Sequence, residues 1–187
     1  QMWTTDVHGI ELGGVGMAVG APLAVLVAEQ LAASGAELII GITSAGQIAD
    51  LPSLPCFVLI ERALRDEGTS LHYQPPGRWS HLDPTLAERL RTAFHGLEQP
   101  VLRAASWTTD APYRETAAAV SRAREAGAVC VEMESPALYA YAAARRQPLV
   151  CLAHVTNTMA IAGDDFDKGP DDGVTASLSV VHAIARH

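Results

Sequence analysis

Two carboxylates flank a methionine at Glu132-Met133-Glu134. Carboxylates accept hydrogen bonds from vicinal hydroxyls, and a thioether packs well on a sugar ring, so the triplet has the chemistry to hold a sugar. If the strand leading into it continues, the two glutamates point to opposite faces and at most one meets a ligand. The other then serves a buried backbone or an arginine. Met133 alone reads equally as core filler. Gly14-Val15-Gly16-Met17 and Thr43-Ser44-Ala45-Gly46 combine small residues with hydroxyls. Backbone N–H groups in such segments can approach an anion or a sugar closely. The glycine pair is a weak signal by itself, since tight turns after strands use glycine for geometry, and its spacing is not the dinucleotide fingerprint. Thr43 to Gly46 reads either as an anion cradle or as a helix-capping turn. The seven histidines have no metal-type spacing, and His72 and His154 alone fall near these segments. There is no Gly-x-Ser-x-Gly elbow and no evident His partner for Cys56, Cys130 or Cys151, which argues against a nucleophilic hydrolase.

What must position these residues is an alternation of short β-rich runs with helices. Pro22 opens a helix with Leu23, Leu26, Val27 and Leu31 on one face, ended by Ser34-Gly35. Strands are expected at 37–42, 57–60, 101–107, 128–131 and 149–155. Helices are expected from Asp83-Pro84, over 115–126, from Ser135-Pro136 and over 173–186. Such alternation implies an α/β sandwich around a largely parallel sheet. In open sheets of this class ligands bind beyond the carboxyl ends of the strands, where the polar segments above fall. Thr108-Thr109-Asp110 and Thr156-Asn157 occupy two more such ends. The long loops at 65–80 and 162–172 are further places to look for function.

Composition narrows the classes. The 187 residues suit one domain, and 49% apolar against 18% charged residues suit a sizeable core rather than disorder. Thirteen basic and twenty-one acidic residues give a net charge of −8, a poor footprint for nucleic acid. Three widely spaced cysteines form neither a disulfide framework nor a zinc pattern and read as buried cytosolic thiols. Residues 12–28 are apolar but broken by glycines and Pro22, and are shorter than the ~20 residues a spanning helix needs. No basic region precedes an apolar stretch, so no signal peptide is expected and the cytoplasm is the expected location.

Taken in order, these motifs resemble one family. Gly14-Val15-Gly16-Met17, Thr43-Ser44-Ala45-Gly46, Arg65-Asp66-Glu67-Gly68-Thr69-Ser70 with His72-Tyr73, Thr108 through Thr116, and Val131-Glu132-Met133-Glu134-Ser135 look like the nucleoside phosphorylases, the family of purine nucleoside and uridine phosphorylases and related nucleosidases. The likeness spans nearly the whole chain, and the Glu-Met-Glu-Ser segment is its most specific part. It implies a three-layer α/β/α sandwich with a central mixed, largely parallel sheet, pentosyl transfer from a nucleoside to phosphate with release of the free base, a role in nucleotide salvage, and no metal or organic cofactor. Residue by residue, Glu132, Met133, Glu134 and Met17 match ribose-pocket positions, with Glu134 on the hydroxyls. Tyr113, Pro112 and Arg114 fall where the base is held. Asn157 matches the position that contacts or protonates the nucleobase, which with Glu134 makes the catalytic pair. Thr43 and Ser44, with Gly16 beside them, match the phosphate turn. A homo-oligomer, dimer or hexamer, is implied, with sites near subunit interfaces.

The chain departs from the family pattern in three places. Family phosphorylases carry an Arg before the phosphate turn, where this chain has the apolar Ile40, a loss of roughly 1.5–3 kcal/mol for a charge-assisted contact. The Gln-x-Arg pair that reads uracil is not evident, Arg114 being the nearby basic residue. The domain is expected to lack the family's N-terminal strand and phosphate loop, with Arg62, Arg65 or Arg78 able to supply the missing charge. A nucleosidase that uses water, or a nucleoside-binding protein without catalysis, are the alternatives.

Overall fold

The computed structural model describes residues 2–7, 9–158 and 170–187, the side chains of Val7, Asn157, Thr158 and Pro170 excepted. The chain opens with an antiparallel hairpin, β1 (Met2–Val7) and β2 (Ile10–Val15), that stands outside the main sheet. Gly14 and Val15 are thus the last residues of β2, not a turn after the first strand of the core. The turn comes later and ends at Gly20, whose φ of 87° only glycine adopts readily. Gly20 is the N-cap of α1 (Ala21–Ala33), with Pro22 in the first turn where its missing N–H costs nothing.

Six strands build the main sheet: β3 (Ile39–Gln47), β4 (Cys56–Asp66), β5 (Trp79–His81), β6 (Val101–Thr109), β7 (Ala128–Glu132) and β8 (Leu149–Thr158). Their order is β5-β4-β6-β7-β3-β8, and β8 also returns to pair with β4. The long pairings, β3 with β8 and β4 with β6, are parallel, as is β6 with β7. The antiparallel ones, β3 with β7, β4 with β5 and β4 with β8, are shorter. The sheet is therefore mixed and largely parallel, and it curls until its ends meet. One edge of β4 carries β8 along Cys56–Leu59 and β5 along Arg62–Leu64. That closure buries Cys56, Phe57, Val58, Leu59 and Ile60 completely, which is why this stretch is a continuous apolar run with no alternation.

Helices α2 (Pro84–Arg89), α3 (Ala117–Glu125), α4 (Ser135–Arg145) and α5 (Val174–Ala185) complete the fold. Asp83 caps α2 by accepting from Leu86 N–H at 3.0 Å, and Thr116 caps α3 through Ala119 N–H. That cap makes α3 begin two residues later than the apolar pattern predicts. The strands, in turn, run on past their apolar stretches. Thr43-Ser44-Ala45-Gly46 is part of β3, in register with β8, with an irregularity between Ala45 and Gly46. It is neither a helix cap nor a free turn, because the ladder satisfies its backbone.

One buried polar contact knits the larger core. Tyr139 of α4 is 1% exposed; its hydroxyl accepts from Cys151 N–H at 3.1 Å and donates to the carbonyl of Ile60. Tyr139→Phe leaves both backbone groups unpaired in the core. The expected loss is about 1–3 kcal/mol of unfolding free energy, read by urea titration followed by circular dichroism. An unchanged midpoint would contradict this account of the α4 contact.

Candidate active site at the start of α4

The site is built where β7 ends and α4 begins. Glu132, the last residue of β7, is 2% exposed. Its Oε1 accepts from the hydroxyls of Ser106, at 3.0 Å, and Thr108. Its Oε2 accepts from Glu134 N–H and Ser135 N–H, each at 2.7 Å, and from the Ser135 hydroxyl at 2.9 Å. The first backbone N–H groups of a helix have no partner within it. Glu132 supplies that partner from one strand back, since Glu134 at the N-cap position makes no side-chain cap. Burial pushes the Glu132 carboxyl above the ordinary carboxylate range, against the pull of these donors, Thr108 first.

Glu134 is 8% exposed and looks the other way. Its Oε1 accepts from Gly20 N–H at 2.7 Å; its Oε2 accepts from the Thr43 hydroxyl at 2.7 Å and from Met133 N–H at 3.3 Å. The carboxylate therefore sits at the starts of both α1 and α4, where the helix dipoles favour negative charge. A carboxylate offers about four lone-pair sites, and three donors leave room for another hydroxyl. Met133, between the two acids in the chain, is half-buried.

Other residues singled out from sequence lie around this centre to different degrees. Thr43 is half-buried in direct contact with Glu134, and Ser44 beside it on β3 is exposed. Met17 is 87% exposed with a φ of 63°. Gly16 is exposed in the same turn, and no described hydrogen bond involves it. Gly20 is the glycine whose N–H reaches the site, and sequence reasoning passed it over. The signal was there: a glycine two residues before Pro22 marks the helix start. Pro112, Tyr113 and Arg114 form an exposed 3-10 turn beyond β6, and no described hydrogen bond links them to Glu132 or Glu134. Asn157 is opposite Gly46 near the end of β8, and its side chain lies outside the described part. Residues 159–169, most of the second long loop, also lie outside it. His154 is buried in β8, stacked on Phe57 at 4.4 Å and 3.1 Å from Gln99, whereas His72 is exposed.

None of Arg62, Arg65 and Arg78 has a described hydrogen bond or ion pair to Glu134. Arg65 folds onto its own loop, donating from Nε to Ser70 at 2.8 Å and from its Nη atoms to the carbonyls of Pro75 and Gln74. Arg62 stacks over the Trp79 ring at 4.5 Å. Ile40 is half-buried in β3. Among the described residues no group of three or more His, Cys, Asp or Glu is placed to hold a metal ion.

A family model, that of the phosphorylase superfamily, matches residues 5–186. No curated protein matches in sequence. Among solved structures, uridine phosphorylase from Vibrio fischeri ES114 superposes with a TM-score of 0.85 at 17% identity, over 100% of this chain and 79% of that one. The same enzyme complexed with 6-hydroxy-1-naphthoic acid gives 0.77 at 18% identity, over 98% and 73%. An AMP nucleosidase from Bacteroides thetaiotaomicron VPI-5482 gives 0.75 at 21% identity, over 99% and 75%. At these identities the structural likeness is one of fold.

Glu132 answers to a direct test. Glu132→Gln sets an amide NH₂ against hydroxyl and backbone donors that need an acceptor, and it removes the charge that α4 caps onto. Its expected cost is at least about 2 kcal/mol of stability. Urea unfolding of the two proteins side by side checks it, and equal stability would mean that the carboxylate does not hold the junction.

Proposed function

The chain belongs to the phosphorylase superfamily, with a nucleoside-phosphorylase-type reaction, and from that premise we propose that it transfers the pentosyl group of a nucleoside to inorganic phosphate. The observation that supports this most is the Glu134 carboxylate, buried yet with acceptor capacity left, beside Met133 and Thr43. In the proposed complex Glu134 accepts from the ribose hydroxyls, and Met133, with Met17, lies against the sugar. Breaking the N-glycosidic bond leaves positive charge on the ribosyl ring and sends the bonding electrons to the base. A carboxylate fixed in advance at the hydroxyls favours that charge without reorganising. Asn157 donates to the departing base, with Tyr113, Pro112 and Arg114 on the base side. Phosphate, held by Thr43, Ser44 and the Gly16 turn, attacks C1′ from the opposite face. Glu132, with five donors on it, takes the role of positioning Glu134 more readily than that of meeting ribose itself.

Hydrolysis by water is the second reading, and one observation favours it. β3 carries Ile40 in place of an arginine, and Arg65 and Arg62 are engaged elsewhere. A second copy of the chain could bring the missing charge. Met17, Val19, Leu23, Leu26 and Leu71 expose apolar surface on α1 and the segments near it, which supports a homo-oligomer, dimer or hexamer, with the site near an interface. No helix among the described residues is long and apolar enough to cross a membrane, which accords with the proposed place in cytoplasmic nucleotide salvage.

Incubation with inosine, adenosine and uridine, with and without phosphate, reads free base directly. Release that requires phosphate is the expected result. Equal release without phosphate overturns phosphorolysis in favour of hydrolysis, and no release under either condition leaves only nucleoside binding. Glu134→Ala is expected to lower turnover about 100-fold or more, and full activity in that variant would remove Glu134 from the ribose site.

A further inference from the structure

Behind the sheet lies a hollow that the proposed reaction does not use. Side chains alternate along β6, so with Ser106 and Thr108 reaching Glu132 on one face, Trp107 faces the other. There a hollow of about 260 Å³ is bounded by Leu64, Asp66 and Trp107 of the sheet, Arg122 and Ala123 of α3, and Arg78 just before β5. Ile48, Trp107, Ala123, Ala128 and Val131 pack together beneath it as a small apolar cluster separate from the main core.

Charge distinguishes this place from the rest of an acidic surface. The protein carries a net −8, yet Arg65, Arg78 and Arg122 all line one small hollow; Arg65 is hydrogen-bonded to Ser70, Pro75 and Gln74, which leaves Arg78 and Arg122 without a described carboxylate partner. The described ion pairs involve Arg91, Arg103 and Arg145, never Arg78 or Arg122. The Arg78 guanidinium lies 5.9 Å from the centre of the Trp79 ring, and no described side-chain hydrogen bond or ion pair involves it. The one acid at the rim, Asp66, turns Oδ2 to the indole N–H of Trp107 at 3.1 Å. Guanidinium forks bind tetrahedral oxyanions through paired charge-assisted hydrogen bonds, which a lone carboxylate already engaged by an indole does not cancel. The volume is below the ~300 Å³ at which drug-sized pockets begin, which suits a small ligand.

We propose that this hollow is a second anion site, taking a phosphate dianion, free or as a simple monoester, between Arg78 and Arg122 over Trp107. An anion there sits on the opposite face of the sheet from Glu132 and takes no part in attack on the sugar. The site therefore stands whether the acceptor in the reaction is phosphate or water.

The Trp107 indole N–H is the reporter, because it borders the hollow and is already hydrogen-bonded at its rim. In ¹H–¹⁵N spectra its resonance is assigned by elimination with Trp3→Phe and Trp79→Phe. It is expected to move saturably with inorganic phosphate or methyl phosphate, and not with chloride at matched ionic strength. Movement with either phosphate probe supports the site and tells which form it takes. The Arg78→Gln, Arg122→Gln double variant, exposed at both positions and expected to fold as the parent does, should weaken the titration about tenfold or more. Thr43→Ala, at the proposed acceptor site, should leave it unchanged. The proposal fails if the resonance shows no phosphate-specific shift, if the double variant titrates like the parent, or if Thr43→Ala abolishes the response.

Discussion

A carboxylate taken out of water loses a large hydration energy, which hydrogen-bond donors inside the protein must offset. Glu132 meets that need with hydroxyls from β6, and with two backbone N–H groups and a hydroxyl from the start of α4. The same five contacts pin three elements to one point. They also fix the backbone N–H of Glu134, and with it the direction in which the second glutamate leaves the chain. Glu134 then reaches outward to Gly20 and Thr43, joining α1 and β3 to the junction. One buried charge thus orients the other, and the four segments that meet around Glu134 have their relative placement from this pair.

The closed sheet makes such a point of convergence available. With β8 paired to both β3 and β4, the strands come round until β3, β6 and β7 deliver their ends to the same region. Hydroxyls on those ends remain in extended backbone because the neighbouring strands complete their ladders, which frees the side chains of Thr43, Ser106 and Thr108 for the carboxylates. Tyr139 plays the complementary role from the helix side, fastening α4 to β4 and β8 through backbone groups the closure would otherwise leave open.

How much of this could be read in advance follows from how local each cause is. Helix starts were legible: Asp83-Pro84, Ser135-Pro136 and Pro22 act within a few residues, and the structure places α2, α4 and α1 there. The α/β class and the largely parallel sheet followed from alternation, whereas the antiparallel pairings did not show in it. Strand ends were not legible, because whether Thr43 to Gly46 continues β3 depends on β8, more than a hundred residues away in sequence. The opening hairpin was missed for a related reason, since most of its residues are exposed and its short alternation, Ile10 and Leu12, ends in Gly13 and Gly14. In the site, the Glu-Met-Glu triplet announced itself, but the unequal occupancy of its two acids did not. That difference rests on Ser106, Thr108 and Gly20, none of which is adjacent to it in the chain.

The placement of the arginines carries the remaining step. A guanidinium held by two carbonyls and a hydroxyl, as in Arg65, cannot turn to an anion without leaving those acceptors bare. Arg62, stacked on Trp79, is tied to the same loop and strand. Positive charge near Glu134 comes instead from the starts of two helices and from backbone N–H groups, which suit a fixed carboxylate and hydroxyls better than a mobile dianion. The proposed acceptor phosphate would therefore draw on a further cation, since among the described residues no arginine is bonded to Glu134. Whether a second copy brings that cation across an interface, or water does without it, is the physical distinction between phosphorolysis and hydrolysis for this chain.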